Sequence, residues 1–255
     1  MRSTYTAKLV SEELLSEPAQ TKHLVFEAQE LEQFDFAAGQ FVSMVAPDPK
    51  PDRAGKIITR AYSIASAANG RTFDICLNRV PGGFFSNHLC DMRVGDTVGF
   101  HGPHGNFVLR HPLRDSIFIA TGTGIAPMRA FVQALFADPE RVLEMRTAGR
   151  RIHLMYGTRY PTDLYYAPYF AQVAQEHADI FDYRCTISRP PDGWAGLSGY
   201  VQEHVRAILN ERPADQRANL DAYICGLNDM VSANREMLTQ DFGWDKKQVI
   251  FERYD

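Results

Sequence analysis

The stretch from Ser116 to Met128, SIFIATGTGIAPM, constrains the fold more than any other part of the chain. Ile117–Ile119 is an apolar run without polar alternation, which predicts a buried parallel strand. Gly122 and Gly124 permit a tight turn and a close backbone approach. Pro127 suits the first turn of a helix, where a backbone N–H has no helical partner. The sequence therefore predicts a strand that leads through a glycine loop into a helix.

A glycine loop before a helix can bind a pyrophosphate, because the first N–H groups of the helix are unpaired and its dipole favours an anion. The form Gly122-x-Gly124-x-x-Pro127 differs from the dinucleotide fingerprint, whose third position is Gly or Ala. A tight turn in any α/β protein is the alternative interpretation. The function therefore depends on the motifs that accompany this loop.

Composition limits the classes of protein to which the chain can belong. Its 255 residues, 45% of them hydrophobic, suffice for one large or two ordinary domains. The formal charge of −4, with both signs interspersed, makes nucleic acid an unexpected partner. No apolar run has the length of a signal peptide or a membrane span, so we expect a cytoplasmic protein without membrane insertion. The four cysteines form no Cys-x-x-Cys pair, so we expect no metal site.

The first part of the chain, up to about Gly102, consists of short β-like runs separated by turn signals. Six such runs predict an antiparallel β-barrel. The predicted strands are Thr6–Val10, His23–Glu27, Phe41–Val45, Tyr62–Ala65, Thr72–Leu77 and Thr97–Phe100, and Phe84–Met92 is predicted as a helix.

After His111-Pro112, apolar runs of strand length alternate with helical stretches. This alternation predicts an α/β domain with a doubly wound parallel sheet. The predicted strands are Ile117–Ala120, Ile152–Tyr156, Tyr183–Ile187, Tyr223–Cys225 and Val249–Phe251. The fold prediction is thus a two-domain chain, with the barrel at 1–113 and the α/β domain at 114–255.

Two segments of the barrel carry residues suited to a ligand. In Arg60-Ala-Tyr-Ser63, alternation places Arg60 and Tyr62 on one face of a strand and Ser63 on the other. In Pro81–Leu89, glycines lead into a helix with Ser86 near its start. An ordinary edge strand and a capped turn are the alternative interpretations of these two segments.

Taken together, the motifs of the chain stand in one order that resembles the ferredoxin–NADP⁺ reductase family, especially its plant-type branch. The resemblance runs from about Gly39 to the end of the chain. The motifs are Arg60-Ala-Tyr-Ser63, Cys76-Leu-Asn-Arg79, Gly83–Asp91, Gly95-Asp96, Gly102-Pro103, Gly122–Pro127, Ser188-Arg189, Gly199–Gln202, Cys225-Gly226 and Glu252-Arg-Tyr254.

The resemblance implies an FAD site in the first domain. Arg60 would contact the pyrophosphate, Tyr62 the isoalloxazine face, and Ser63 would lie near flavin N5. A guanidinium suits a diphosphate and an aromatic ring suits a flavin, so residue chemistry agrees with these roles. The other residues that the resemblance implies for FAD binding are Ala61, Cys76, Arg79, Gly82, Gly83, Phe84, Phe85 and Ser86.

The resemblance also implies an NADP(H) site in the second domain. The nucleotide pyrophosphate would lie at the glycine loop, with Thr123 and Gly124. Ser188 and Arg189 follow a predicted parallel strand and would suit a 2′-phosphate. The resemblance implies that Tyr200 and Gln202 contact the adenosine and a phosphate. Their spacing of two residues would place both side chains on one face of a strand. A solvated loop and a packing edge are the alternatives for these pairs.

The candidate catalytic residues are Ser63, Cys225, Glu252 and Tyr254. The resemblance implies that the Cys225 thiol packs by the nicotinamide, that Glu252 balances charge or relays a proton, and that Tyr254 stacks on the flavin. The alternatives are a core cysteine, a surface carboxylate and a frayed chain end. Asp255 extends beyond Tyr254, whereas plant-type chains end on the tyrosine.

The sequence thus predicts an FAD-dependent oxidoreductase that exchanges a hydride with NADP(H) and single electrons with ferredoxin or flavodoxin. No iron–sulfur motif is evident, so an external electron carrier is expected. One alternative is an NADH-dependent flavin reductase component that feeds an oxygenase or a cytochrome. Another is a non-catalytic flavin-binding electron-transfer subunit of a larger complex.

Overall fold

The computed structural model describes residues 3–50, 55–217 and 219–254. The chain divides into two compact units. The N-terminal unit comprises the residues up to Val108 together with Arg129–Ala134, and the C-terminal unit comprises Leu109–Met128 and the residues from Leu135 onwards. The domain boundary near residue 113 stays a prediction.

The N-terminal unit is built on a six-stranded antiparallel sheet in the order β4-β3-β6-β1-β2-β5. Its strands are β1 (Tyr5–Ser16), β2 (Thr21–Ala28), β3 (Phe41–Pro47), β4 (Ile57–Ser63), β5 (Thr72–Asn78) and β6 (Thr97–His104). The two edges meet just after β4, where Ile64 forms an antiparallel bridge with Ile75 and the Ala65 N–H donates to the Asp74 carbonyl at 2.8 Å. This closure confirms the predicted antiparallel barrel.

Strand β4 differs in its limits from the predicted strand Tyr62–Ala65. It begins at Ile57 and ends at Ser63, and it pairs with β3 from Ile57↔Pro47 to Ser63↔Phe41. Its first residues are mostly exposed, so no apolar alternation marks them in the sequence. Backbone pairing with β3, rather than side-chain burial, therefore determines where this strand starts.

Aromatic packing dominates the core of the N-terminal unit. The rings of Phe73 and Phe100 are 5.0 Å apart between centroids, and Phe34 meets Phe100 edge-on at 5.4 Å. Helix α1 (Phe84–Asp91) buries Phe85 and Leu89 in the same core. Burying one such side chain stabilises the fold by about 1.5–3 kcal/mol. The first turn of α1 is thereby held against the barrel.

The C-terminal unit is a six-stranded parallel sheet in the order β10-β9-β8-β7-β11-β12, as predicted for a doubly wound domain. Its strands are β7 (Asp115–Thr121), β8 (Ile152–Thr158), β9 (Phe181–Ile187), β10 (Leu197–Ser198), β11 (Leu220–Leu227) and β12 (Val249–Tyr254). Its α-helices are α2 (Ile125–Phe136, apart from Arg129–Ala134, which belongs to the N-terminal unit), α3 (Pro139–Thr147), α4 (Ala167–Glu176), α5 (Val201–Asn210), α6 (Ala214–Arg217) and α7 (Asn228–Glu236). Among the described residues, no helix is long and apolar enough to cross a membrane.

The strand order reverses direction between β7 and β11. From β7 the chain proceeds through β8 and β9 to β10, and it then returns to place β11 on the other side of β7. Open α/β sheets bind ligands outside the carboxyl ends of their strands at such a switch point. Thr121 and Cys225, at the carboxyl ends of the two strands, therefore lie where a ligand is expected. Strand β10 was not predicted, because its two exposed residues form no apolar run.

Candidate functional site

Strand β4 presents the predicted flavin-binding residues at one edge of the sheet. Tyr62 pairs with Val42 and packs against the barrel core, and burial is the main cause that raises its pKa to about 12. Cys90 of α1 adds to this shift, so the phenol lies close to that helix. Arg60 is exposed and its guanidinium donates to the Thr59 carbonyl at 3.2 Å. Ser63 is buried and pairs with Phe41, on the opposite face from Tyr62.

The turn before α1 is built by two side chains of the helix itself. The Ser86 hydroxyl accepts from the Val80 N–H at 3.0 Å and donates to the Gly83 carbonyl at 3.4 Å. The Asn87 side-chain amide donates to the Val80 carbonyl at 3.0 Å and, in a closer contact, to the Gly83 carbonyl. Gly82 adopts φ +73°, a conformation that favours glycine. Ser86, predicted to contact FAD, thus already serves to shape the turn.

The first turn of α1 is open to an anion. Gly83 is the N-cap residue, and no side chain among the described residues caps the helix. The first N–H groups of the helix therefore have no side-chain acceptor in the described part of the chain, and the helix dipole favours an anion beside them. An open depression of about 420 Å³ lies beside this turn, lined by Gly82, Gly83, Phe84, Asn87, His88 and Asp91. A cap-free glycine turn fits the diphosphate of a dinucleotide.

Two other predicted FAD contacts lie in more constrained positions. The Arg79 guanidinium donates to Asn87 Oδ1 at 2.8 Å and to Asp91 Oδ1 at 2.6 Å. The hydrogen bond from Arg79 is the main cause that holds the pKa of the Asp91 carboxyl below its usual range. Cys76 is buried on β5, where it pairs with His23. Arg79 is thus an anchor of α1, and any contact with a ligand would compete with this ion pair.

The glycine loop of the C-terminal unit is pressed against the end of β11. A Cβ on Gly124 would lie 2.2 Å from the Cys225 carbonyl oxygen, and one on Gly226 would lie 2.4 Å from Thr121 Oγ1. The loop forms a short 3₁₀ turn, Gly122–Gly124, directly before α2, again without a side-chain cap among the described residues. Backbone contact therefore determines the height of the loop over the sheet.

Thr121 is a residue of this site that the sequence did not reveal. Its Oγ1 is buried and has no hydrogen-bond partner among the described residues. A buried hydroxyl without a partner is costly unless a ligand or water satisfies it. The only signal in the sequence is a hydroxyl placed directly before the glycines. Its position at the switch point fits a bound nicotinamide nucleotide.

The predicted catalytic residues Cys225, Glu252 and Tyr254 meet on one face of the sheet. Cys225 pairs with Glu252, and Tyr254 follows two residues further along β12. The thiol is fully buried, and burial is the first cause that raises its pKa well above the usual value. The Glu252 carboxylate raises it further, whereas a hydrogen bond with Tyr254 opposes the shift. The thiol is therefore protonated at neutral pH. Asp255 lies outside the described residues.

The predicted 2′-phosphate residues follow β9. Their backbones are held by the preceding loop, since the Ser188 N–H donates to the Thr158 carbonyl at 2.9 Å and the Arg189 N–H to the Arg159 carbonyl at 3.0 Å. The Arg189 guanidinium donates to the Tyr160 hydroxyl at 3.3 Å, and this contact is the main cause that raises the Arg189 pKa. Tyr160 was not predicted, because it lies far from Arg189 in the sequence.

Tyr200 and Gln202 lie at the start of α5 rather than along a strand. Tyr200 is the exposed N-cap residue and Gln202 is in the first helical turn. Residues i and i+2 lie on one face of a strand, but at the start of a helix they do not. Tyr200 is nevertheless close enough to Arg189 to contribute to the rise of its pKa. Arg189 thus donates a hydrogen bond to Tyr160 and also interacts electrostatically with Tyr200.

Comparison with known proteins assigns both units of the chain to oxidoreductase domain families. Residues 6–109 match the family model described as oxidoreductase FAD-binding domain, and residues 118–236 match oxidoreductase NAD-binding domain. The chain is 37% identical over 240 residues to ferredoxin–NADP reductase B of Sorangium cellulosum, which covers 92% of this chain and 91% of that protein. The chain belongs to the ferredoxin–NADP reductase family.

Two further members of the family are similar over most of this chain. The root isozyme 2 of chloroplastic ferredoxin–NADP reductase from Arabidopsis thaliana is 28% identical, covering 93% of this chain and 67% of that protein. The structure of a ferredoxin–NADP⁺ reductase from Neisseria gonorrhoeae, with bound FAD and NADP, shares the fold with a TM-score of 0.78 at 20% identity. That alignment covers 99% of each chain.

Membership of this family confirms the predicted class of protein, an oxidoreductase flavoprotein that uses FAD and NADP(H). The predicted FAD contacts of the N-terminal unit fall within residues 6–109, and Ser188 to Gln202 fall within 118–236. Glu252 and Tyr254 lie beyond both matched segments. The roles of the individual site residues stay predictions.

Proposed function

We propose that this chain transfers a hydride between NADPH and FAD and exchanges single electrons with ferredoxin or flavodoxin. The observation that carries the choice of NADPH is the Arg189 guanidinium at the end of β9, oriented by Tyr160 and close to Tyr200. A guanidinium binds a phosphate bidentately, whereas an NAD-selective site uses a carboxylate for the ribose diol. The relatives from Sorangium cellulosum and Arabidopsis thaliana support ferredoxin as the partner.

The N-terminal unit supplies the residues that would hold FAD. The exposed Arg60 guanidinium and the cap-free first turn of α1 offer positive charge and N–H donors to the diphosphate. The Tyr62 phenol is neutral at physiological pH, and burial raises its pKa further, so it offers an uncharged aromatic face. FAD supplies the conversion between two-electron and one-electron transfer when it is bound. Ala61, Ser63 and Cys76 complete the proposed set of contacts.

The C-terminal unit supplies the residues that would place the nicotinamide. Thr123 and Gly124 would bind the pyrophosphate, and the protonated Cys225 thiol would orient the ring rather than transfer a proton. Glu252 is the carboxylate beside that thiol and would balance charge. The Tyr254 side chain hydrogen-bonds Cys225, so a nicotinamide that reaches the thiol must displace it. Tyr254 would thus gate access to Cys225.

The proposed preference for NADPH is tested by Arg189→Ala. We expect kcat/KM for NADPH to fall roughly 10-fold or more, because a charge-assisted contact with the 2′-phosphate is lost, and kcat/KM for NADH to change little. Steady-state reduction of ferredoxin and of flavodoxin with each nucleotide measures this and compares the two carriers. Arg206→Ala is a matched control, since Arg206 lies in the same unit and pairs with Asp241 on the surface. Equal losses with both nucleotides in Arg189→Ala would contradict the assignment.

The proposed gate is tested by Tyr254→Ser. We expect tighter binding of NADP⁺ and a higher ratio of NADH to NADPH activity, because the covering side chain reduces the fraction of protein open to the nicotinamide. Activity with NADPH should rise less than activity with NADH, since the 2′-phosphate contact already offsets part of the cost of displacing Tyr254. Spectral titration with NADP⁺ and steady-state rates with both nucleotides measure the effect. Unchanged affinity together with an unchanged ratio would rule out the gate.

A further inference from the structure

The loop after β8, Thr158–Asp163, is restrained by its own hydrogen bonds and is called the β8 loop below. The Thr158 hydroxyl donates to the Tyr160 carbonyl at 2.9 Å. The Asp163 N–H donates to the same carbonyl at 3.1 Å, and residues 161–163 form a 3₁₀ turn. Both ends of the loop are thereby tied to its middle. A loop held in this way can act as a spacer between the elements that it contacts.

One end of the β8 loop is joined to the glycine loop by Tyr156. This residue lies on β8 and is fully buried. Its hydroxyl is 3.1 Å from the Gly122 carbonyl oxygen and 3.0 Å from the Asp163 carbonyl oxygen. A phenol has one proton to donate, so the two carbonyls share one donor and are held close to each other. The phenol therefore connects the proposed pyrophosphate site to the far end of the β8 loop.

The middle of the β8 loop is joined to the proposed 2′-phosphate site by Tyr160. The Tyr160 hydroxyl accepts from Arg189 Nη1 at 3.3 Å. The backbone of the β8 loop also accepts from the N–H groups of Ser188 and Arg189. Arg189 is exposed, and a long exposed side chain loses rotamer freedom when it binds a ligand. A partner that already orients the guanidinium reduces this loss.

We propose that Tyr156 and Tyr160 are positioning residues that use the β8 loop to hold the glycine loop and Arg189 at a fixed separation. This inference rests on the proposed NADP(H) function. Each hydroxyl contacts a different anion-binding element, so each has a separate effect on the nucleotide. Tyr156 acts on the part that binds the diphosphate, and Tyr160 acts on the part that binds the 2′-phosphate. Neither tyrosine itself contacts the reacting atoms.

The test uses two fragments of the nucleotide, ADP and 2′-AMP, with the FAD-loaded protein. We expect Tyr156→Phe to weaken ADP about 3- to 10-fold and to leave 2′-AMP within about 2-fold of wild type. We expect Tyr160→Phe to weaken 2′-AMP about 3- to 10-fold and to leave ADP within about 2-fold of wild type. Isothermal titration calorimetry measures both dissociation constants. Tyr183→Phe, which removes a phenolic hydroxyl from the neighbouring strand β9, is the matched control. It should bind both fragments with wild-type affinity.

Fragment selectivity separates positioning from a merely structural role. A variant that only loosens the unit would weaken both fragments alike, and that result would overturn the proposal. Fragment affinities unchanged in both variants would also overturn it, while leaving the proposed NADP(H) function intact. Failure of the wild-type protein to bind 2′-AMP or NADP⁺ would instead reject the proposed function together with this inference. The thermal midpoint and FAD content of each variant show whether the fold is retained.

Discussion

Gly82 in the N-terminal unit and Gly124 in the C-terminal unit both lie in turns assigned to a diphosphate, yet they are glycines for different reasons. Gly82 adopts φ +73°, and a Cβ there would meet no described atom within 4 Å. Gly124 has no such dihedral angle, but its Cβ would lie 2.2 Å from the Cys225 carbonyl oxygen. The first position requires conformational freedom and the second requires space. The same residue type therefore carries two different physical constraints.

The two turns also differ in what builds them. Side chains of α1, Ser86 and Asn87, shape the turn at Gly82. Direct contact with the backbone of β11 shapes the loop at Gly124, and the residue contacted is Cys225. A change at Gly82 should therefore stay local, whereas a change at Gly124 should reach a proposed catalytic residue.

The largest expected effect is that of Gly124→Ala. The added methyl group has no room beside the Cys225 backbone, and such overpacking costs about 1–3 kcal/mol in unfolding free energy, with a shift of the loop. We expect NADP⁺ affinity to fall at least about 10-fold while FAD content stays near that of wild type. Urea unfolding and spectral titration with NADP⁺ measure the two effects. Wild-type affinity in this variant would mean that the loop moves without consequence.

A smaller effect is expected for Gly82→Ala. The methyl group meets open space, so the cost is only the strain of a positive φ, about 1 kcal/mol, and FAD affinity should fall by less than about 10-fold. Asparagine tolerates positive φ better than other residues, so Gly82→Asn should recover part of the loss. Fluorescence titration of the apoprotein with FAD measures both variants. Recovery by asparagine at Gly124 but not at Gly82 would reverse the comparison between the two turns.

The smallest expected effect concerns the pH dependence of stability through Tyr62. Burial raises the pKa of this phenol to about 12, above its usual value of about 10. Its contribution to stability is therefore complete well below pH 10 and is lost progressively as the pH rises through 10 towards 12. Between pH 8 and pH 10, the unfolding free energy of wild type should fall by about 0.5 kcal/mol more than that of Tyr62→Phe. Urea unfolding at both pH values measures this difference, and identical pH dependence in the two proteins would contradict the burial of the phenol.

Local patterns in the sequence determined much of this protein. Apolar runs placed most strands of the parallel sheet because burial on both faces removes polar alternation, as in Ile117–Ile119. Motif order indicated the family that the comparisons confirmed, since each motif combines glycines with a charged or aromatic residue at a fixed spacing. Those features depend on neighbours in the chain and can be recognised without a structure.

Tertiary structure alone decided which groups meet across the chain. The limits of β4 depend on pairing with β3, and the two residues of β10 form a strand only because β9 lies beside them. Tyr160 orients Arg189 from a separate loop, and Thr121 on β7 lies beside Gly226 on the neighbouring strand β11. Such contacts arise from register and close packing between distant segments. Local sequence patterns carry no record of them, because the residues concerned become neighbours only when the sheet forms.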